Sequence, residues 1–298
     1  MTLLGKSSHV STSLLSRPVQ WLSGLGRVVF ANANIAMGSF LVVAFVIAGL
    51  VAPLLYPTDP FLIVGTPRQW PGDNPAFPLG TDALGRDMLA GLLHGARVSL
   101  MVGLVATLVS LVVGISLGAL GGYFGGVIDA VIVRLIEVFQ TMPAFVLLVV
   151  VLAIVEPSIA IVTFAIGITS WDQIARLTRA EYRSLREREF VLAGRTIGFS
   201  VPTMIFREIL PNALPPLLTA ASLAIASAIL TESALSFMGL GDPNVISWGS
   251  MISAGKDHLR TSWYIAAIPG TAIALAALAL NLLGQGIVAA LDPRNRVR

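Results

Sequence analysis

The chain has no cysteine. A disulfide framework, a thiol nucleophile and a cysteine-based metal site are therefore excluded. Its three histidines, His9, His94 and His258, lie far apart and form no ligand-spaced pair, so no metal site is expected. Charge is scarce as well. Asp, Glu, Lys and Arg make up 12% of the 298 residues, about half the roughly 25% of a soluble domain. With 55% hydrophobic residues and a mean hydropathy of +0.84, that scarcity marks an all-α, multi-span membrane protein. The formal charge of +3 and pI of 9.7 do not call for nucleic acid. Basic residues in such a chain set orientation and meet anionic headgroups of the lipid bilayer.

Catalytic patterns are missing too. There is no HExxH and no readable Ser-His-Asp set. The stretch Gly249–Asp257 only loosely resembles a phosphate loop. It has five residues between its glycines where the loop needs four, and Asp257 where Ser or Thr would meet Mg²⁺. No catalytic residue and no cofactor is assigned to this chain. Energy for any transport must come from an ion gradient or from a separate ATPase.

What the chain does have is apolar runs. A helix needs about 20 apolar residues to cross the hydrocarbon core. Ile35–Leu55, Val98–Leu120, Val127–Val155, Pro157–Trp171 extended past Asp172, Ala213–Thr231 extended past Glu232, and Ser262–Leu291 make six expected spans. The first starts too far from Met1 and is too long for a signal peptide, so it is read as retained. Six spans put both ends on one side. With the termini cytoplasmic, thirteen Lys and Arg fall inside and five outside, Arg134 lying within a span. That bias supports a cytoplasmic N-terminal segment (1–34), loop (176–212) and C-terminal tail (292–298). The extracytoplasmic loop, 56–96, should carry an interfacial helix capped by Thr81 or Asp82 and running into the five-helix core, 97–291.

Three features stand out inside the spans. Gly114 and Gly118 are four apart, a smooth stripe against which another helix can pack; Gly121 to Gly126 read as a turn. Arg134 and Glu137 share a helix face. Charges in the bilayer must face protein or a watery cavity, so they either line the inner end of a pathway or pair near the interface. Pro143 should kink their span. Glu232 falls near the outer surface, where it is solvated, paired or in contact with a solute.

The longest polar block runs from Arg186 to Asn212. Glu187, Glu189 and Arg195 surround apolar Phe190, Val191 and Ile197 and small Ala193, Gly194 and Gly198. An apolar patch with a charged rim marks a protein interface.

This block resembles the cytoplasmic loop of binding-protein-dependent ABC importer permeases, whose signature is Glu-Ala-Ala, three residues, Gly, nine residues, Ile-x-Leu-Pro. Here the triplet is Leu192-Ala193-Gly194, the glycine Gly198 and the end Leu210-Pro211, with Leu192 in place of Glu and Glu208 in place of Ile. Gly80-Thr81-Asp82, Gly85-Arg86-Asp87, the run from Arg186 to Val191, Ile209–Asn212, Leu235–Gly241, Ser247–Met251 and Leu291–Arg294 resemble the dipeptide and oligopeptide branch, specifically its second (C-type) permease. The resemblance covers roughly residues 30–298.

The resemblance implies a type I importer permease fold in the cell inner membrane. It implies a heterodimer with a homologous permease, two ATPase subunits that bind ATP and Mg²⁺, and an extracytoplasmic binding protein. Residues from about Phe190 to Ser200 would form a coupling helix in a groove of the ATPase, anchored by Phe190 and Val191, with Ala193, Gly194 and Gly198 permitting close approach. Related branches carry nickel, glutathione or other small solutes. A stand-alone secondary transporter would instead show inverted repeats and interrupted helices holding ions. A scaffold without transport would have little need for Arg134 and Glu137.

Overall fold

The structure is a computed structural model that describes residues 33–291, with side chains to residue 287. The basic residues at 6, 17, 27, 294, 296 and 298 and most of the Leu291–Arg294 motif lie outside the described residues. The described part is helical; its single β-bridge joins Thr81 to Asp87.

Helix α1 spans Ala33–Leu55. An irregular loop follows, and α2 then runs unbroken over Met88–Phe124, 37 residues. The side chain of Asp87 caps α2 by accepting from Leu89 N at 2.8 Å. The expected caps serve otherwise: Thr81 is buried and donates to the carbonyl of Thr66 at 2.6 Å, which ties the loop to itself. No separate interfacial helix is present among the described residues; α2 itself begins at the loop. Tyr264 clamps the same loop, donating within 2.7 Å of the Gln69 carbonyl and 2.9 Å of the Thr81 carbonyl.

Gly125 and Gly126, both at positive φ, turn the chain into α3, Gly126–Thr141. Pro143 ends α3's continuation, and α4, Ala144–Ile154, leaves at 76°. The expected kink is therefore a sharp break: Pro143 has no N–H to give and the residue before it avoids the helical region. Helix α5, Ile159–Thr169, starts at a Ser158 cap and stops at Ser170. Helix α6, Trp171–Leu185, and the short α7, Glu189–Ile197, follow.

Helix α8 covers Val201–Phe237 and includes a π-helical segment at Met204–Ile209. That widening precedes Pro211, whose ring would press on the carbonyl four residues earlier in a regular helix. Asn212 donates its side-chain amide to the Glu208 carbonyl at 2.7 Å, satisfying a group at the irregular turn. Helix α9, Trp248–Gly255, and α10, Tyr264–Leu291, complete the described part.

Four of these helices, α1, α2, α8 and α10, are long and apolar enough to cross a membrane, and a fifth span results if the bent pair α3–α4 counts as one. The expected count was six. The difference is the Pro157–Trp171 run, which breaks at Ser170 into an apolar α5 of 11 residues and a charged α6.

Helices α2 and α6 pack at very short range. A Cβ on Gly114 would lie 2.7 Å from Ile174 Cβ, on Gly118 2.5 Å from the Ala175 carbonyl, and on Gly122 2.6 Å from Tyr182 Cβ. Gly122 thus belongs to the stripe with Gly114 and Gly118, not to the turn. The missing side chains let the backbones touch.

Candidate functional site

The polar block folds into α7 and the start of α8. Glu189 occupies the first turn of α7 and Arg195 the last, matching the helix dipole. Gly198 adopts φ +87° and closes the helix: its N–H reaches the Arg195 carbonyl and the N–H of Phe199 reaches the Gly194 carbonyl, each at 3.0 Å.

The two faces of α7 differ. Val191 is fully buried with Tyr182, Met204 and Ile205. Gly194 is buried too; a Cβ there would meet Met204 Sδ and the Phe199 ring at 3.1 Å. Outside that buried strip, Phe190 is 40%, Leu192 45% and Ile197 74% exposed, and Ala193 and Arg195 are exposed as well. This corrects the expectation that Val191 and Gly194 meet a partner: they hold α7 to its own protein, while Phe190, Leu192 and Ile197 are left uncovered. Glu187, Glu189, Gly198 and Pro211 are exposed and Leu210 is half-buried.

Behind α7 lies a set of contacts that the sequence reading missed. Tyr182 is wholly buried and donates its hydroxyl to the carbonyl of Ile205, inside the π segment, at 3.1 Å. Burial pushes its phenol up to about 12. Arg179 forms a two-pronged ion pair with Asp129 of α3, one prong at 2.7 Å. The hydrogen bond to Asp129 raises the pKa of Arg179 further. Arg186 reaches the Gly122 and Tyr123 carbonyls, at 3.3 and 3.4 Å, where α2 ends without intrahelical partners. Arg195 of α7 sits 5.4 Å over the Tyr123 ring. Signals for these existed: Arg179 and Tyr182 share one face of α6, and Asp129 stands in the first turn of α3. Their partners are distant in sequence, so no spacing rule joins them.

The other polar candidates lie apart from this region. Arg134 and Glu137 form an ion pair at 2.7 Å on α3, with side chains 83% and 51% exposed among the described residues. Glu232 is 1% exposed. Its carboxylate accepts from Ser236 and Ser247, each at 2.7 Å, and more distantly from Ser233 at 3.5 Å. It is therefore not solvated: it joins α8 to the capping box of α9, in which Ser247 and Ser250 satisfy each other's backbone. No cluster able to hold a metal ion occurs among the described residues.

Residues 110–297 match the family described as the inner membrane component of binding-protein-dependent transport systems. The chain belongs to that family. It is the permease subunit of an ABC importer, and the family as a whole works with a partner permease, ATPases and a binding protein. The chain is 38% identical over 274 residues to the di/tripeptide transport system permease protein DppC of Pseudomonas aeruginosa, covering 89% of this chain and 90% of the relative. It is 39% identical over 269 residues to the dipeptide transport system permease protein DppC of Escherichia coli K12, covering 88% and 90%. Its fold is similar to a chain of the MetNI methionine ABC transporter in an inward-facing conformation, with a TM-score of 0.56, 17% identity, and 69% of this chain and 98% of that one covered. That likeness bears on the fold alone.

Proposed function

We propose that this permease imports di- and oligopeptides delivered by an extracytoplasmic binding protein, as one half of a heterodimer driven by two ATPase subunits. The observation that carries the peptide assignment is the similarity to two dipeptide permeases along about nine-tenths of both chains. The termini and the loop 176–212 lie in the cytoplasm, in line with the charge bias. ATP and Mg²⁺ are bound by the ATPases and not by this chain.

The exposed side of α7 is the ATPase-coupling surface. Phe190 and Ile197, which share a flank of the helix with Ala193, provide the apolar contact, Ala193 allows close approach, and Glu187, Glu189 and Arg195 set register. Val191 and Gly194, buried beneath, transmit the push to Met204 and Ile205, and so to the root of α8. Closure of the ATPase pair then rocks the spans between inward-open and outward-open states. Arg134 and Glu137, exposed in the isolated subunit, face the partner permease or the pathway.

The test is uptake into proteoliposomes holding the full complex and its binding protein. Radiolabelled alanyl-alanine should enter in an ATP-dependent manner, and Ni²⁺ and glutathione should not. Uptake of Ni²⁺ or glutathione without alanyl-alanine overturns the peptide assignment. Ala193→Arg should abolish uptake and crosslinking to the ATPase together; normal transport by that variant overturns the coupling surface.

A further inference from the structure

A cavity of about 360 Å³ opens among α2, α8 and the junction of α5 with α6. That volume sits at the lower end of small-molecule sites, roughly 300–1,000 Å³. Its position is informative. Thr107 stands midway along α2, Ser227 lies on the apolar stretch of α8, and Ser170 is the break between α5 and α6. Irregular backbone at membrane depth is tolerated where it is buried in protein or lines a cavity. The Ser170 break lines this one.

The lining carries no charged residue. It carries hydroxyls and one carboxamide: Thr107, Ser110, Ser170, Gln173 and Ser227. Two of these are already committed as donors. Ser110 donates to the Gly167 carbonyl and Ser170 to the Ile166 carbonyl, each at 2.8 Å. Their oxygens keep free lone pairs. The Thr107 hydroxyl is different. Its residue is 3% exposed, and it has no hydrogen-bond partner among the described residues. A buried hydroxyl without a partner costs about 1–3 kcal/mol, and this one borders an open space. Gln173 and Ser227 line the same cavity, and both are exposed.

We infer that this cavity is a substrate subsite of the permease that takes neutral hydrogen-bonding groups, specifically the peptide amide of a passing di- or tripeptide. The inference rests on the peptide-importer reading above. An amide offers one N–H and one C=O. Thr107, Gln173 and Ser227 supply donors for the carbonyl, and the oxygens of Ser110, Ser170 and Gln173 supply acceptors for the N–H. A charged terminus finds no counter-charge in this lining, and burying it there is costly. The cavity therefore grips the middle of the peptide and leaves the termini elsewhere.

The test uses the complete complex with its binding protein in proteoliposomes, with alanyl-alanine as the probe. Thr107→Val keeps the shape and removes the hydroxyl; Thr107→Ser keeps the hydroxyl. Gln173→Leu removes the carboxamide. We expect Thr107→Val and Gln173→Leu to lower peptide transported per ATP hydrolysed by about tenfold, with ATP hydrolysis itself sustained. We expect Thr107→Ser to hold the native ratio. Because the chain has no cysteine, Ser227→Cys provides a unique thiol in this subunit. Its labelling by a maleimide should slow at least threefold during turnover with saturating alanyl-alanine. An unchanged transport ratio in Thr107→Val, equal losses in the Val and Ser variants, or labelling insensitive to the peptide overturns the subsite while leaving the importer reading intact. Failure of the wild-type complex to import alanyl-alanine overturns the peptide reading, and the ligand assigned to the cavity with it.

Discussion

Tyr182 of α6 donates its hydroxyl to the carbonyl of Ile205, in the one π-helical segment among the described residues, at 3.1 Å. The bond joins the helix that packs on the glycine stripe of α2 to the root of α8, directly behind the buried side of α7. A π turn leaves carbonyls poorly served by the helix itself, and a buried carbonyl needs a partner. Tyr182→Phe removes the donor and leaves the shape. The expected cost is about 1–2 kcal/mol of stability. Transport per ATP should fall severalfold while the ATPase stays bound, measured by uptake and co-purification in parallel. An unchanged ratio would sink the idea that force passes through this contact.

The same tyrosine sets an alkaline limit. Its phenol is pushed up from 10.0 to about 12 by burial. A raised pKa means that the folded state holds the proton more tightly than the unfolded state. This contribution is complete below about pH 10 and is lost as pH rises to about 12. In a detergent-solubilised preparation, wild type should lose melting temperature across that window more steeply than Tyr182→Phe. Parallel pH profiles for the two proteins would contradict this.

Asp129 and Arg179 are held together across α3 and α6, and both side chains are largely shielded. Removing one partner strands the other charge, which is more damaging than removing both. Arg179→Met and Asp129→Leu should each lower the yield of folded, membrane-inserted protein, and the double variant should recover a large part of it. The check is a double-mutant cycle of melting temperatures. Additive losses would show that the two charges do not act as a pair.

Much of this arrangement was legible in the sequence, for particular reasons. Long uncharged runs mark α1, α2, α8 and α10 because a bilayer selects for nothing else at that length. Gly114 and Gly118 stood out because four-residue spacing survives any change of partner. Gly122 is hidden in a run of glycines that also holds the turn at Gly125. The break at Ser170 carries no proline or glycine; only the change from apolar α5 to charged α6 hints at it. Val191 and Phe190 are alike in composition and adjacent in sequence, yet one is buried and one is not. A nine-residue helix with apolar groups on both sides does not announce which side its own protein will cover. Tyr182, Asp129 and Arg179 depend on contacts between helices distant in sequence, which periodicity does not register.

The glycine stripe should be intolerant of the smallest addition. A Cβ at Gly118 would lie 2.5 Å from a backbone carbonyl and 2.6 Å from Thr178 Cβ, and neither can rotate away. Gly118→Ala therefore forces α2 and α6 apart. Overpacking of this kind costs about 1–3 kcal/mol, occasionally more. Gly270→Ala is the control: nothing lies within 4 Å of the added carbon, and alanine favours the helix. Gly118→Ala should lower the melting temperature in detergent, and Gly270→Ala should hold or raise it. Equal tolerance at the two sites would mean that the close approach is not needed.

Glu232 provides the final case. One oxygen of its carboxylate accepts both short hydrogen bonds, from Ser236 and from Ser247. Ser247 in turn accepts from Ser250 N at 3.1 Å and starts α9. Charge is thus secondary to the position of one acceptor oxygen. Gln offers a carbonyl oxygen in the same place, and its amide can turn toward Ser233, whose hydroxyl already donates to the Ile229 carbonyl at 2.8 Å. Ala offers nothing, and two buried serines lose their acceptor together. Glu232→Gln should keep native stability within about 1 kcal/mol, whereas Glu232→Ala should cost about 2–6 kcal/mol, the range for two unsatisfied buried groups. The loss should be local. Amide hydrogen exchange across 247–255 should rise in Glu232→Ala and stay slow in Glu232→Gln, while α6 and α7 remain as protected as in wild type. If Gln proves as damaging as Ala, the carboxylate charge and not its geometry holds α9 in place.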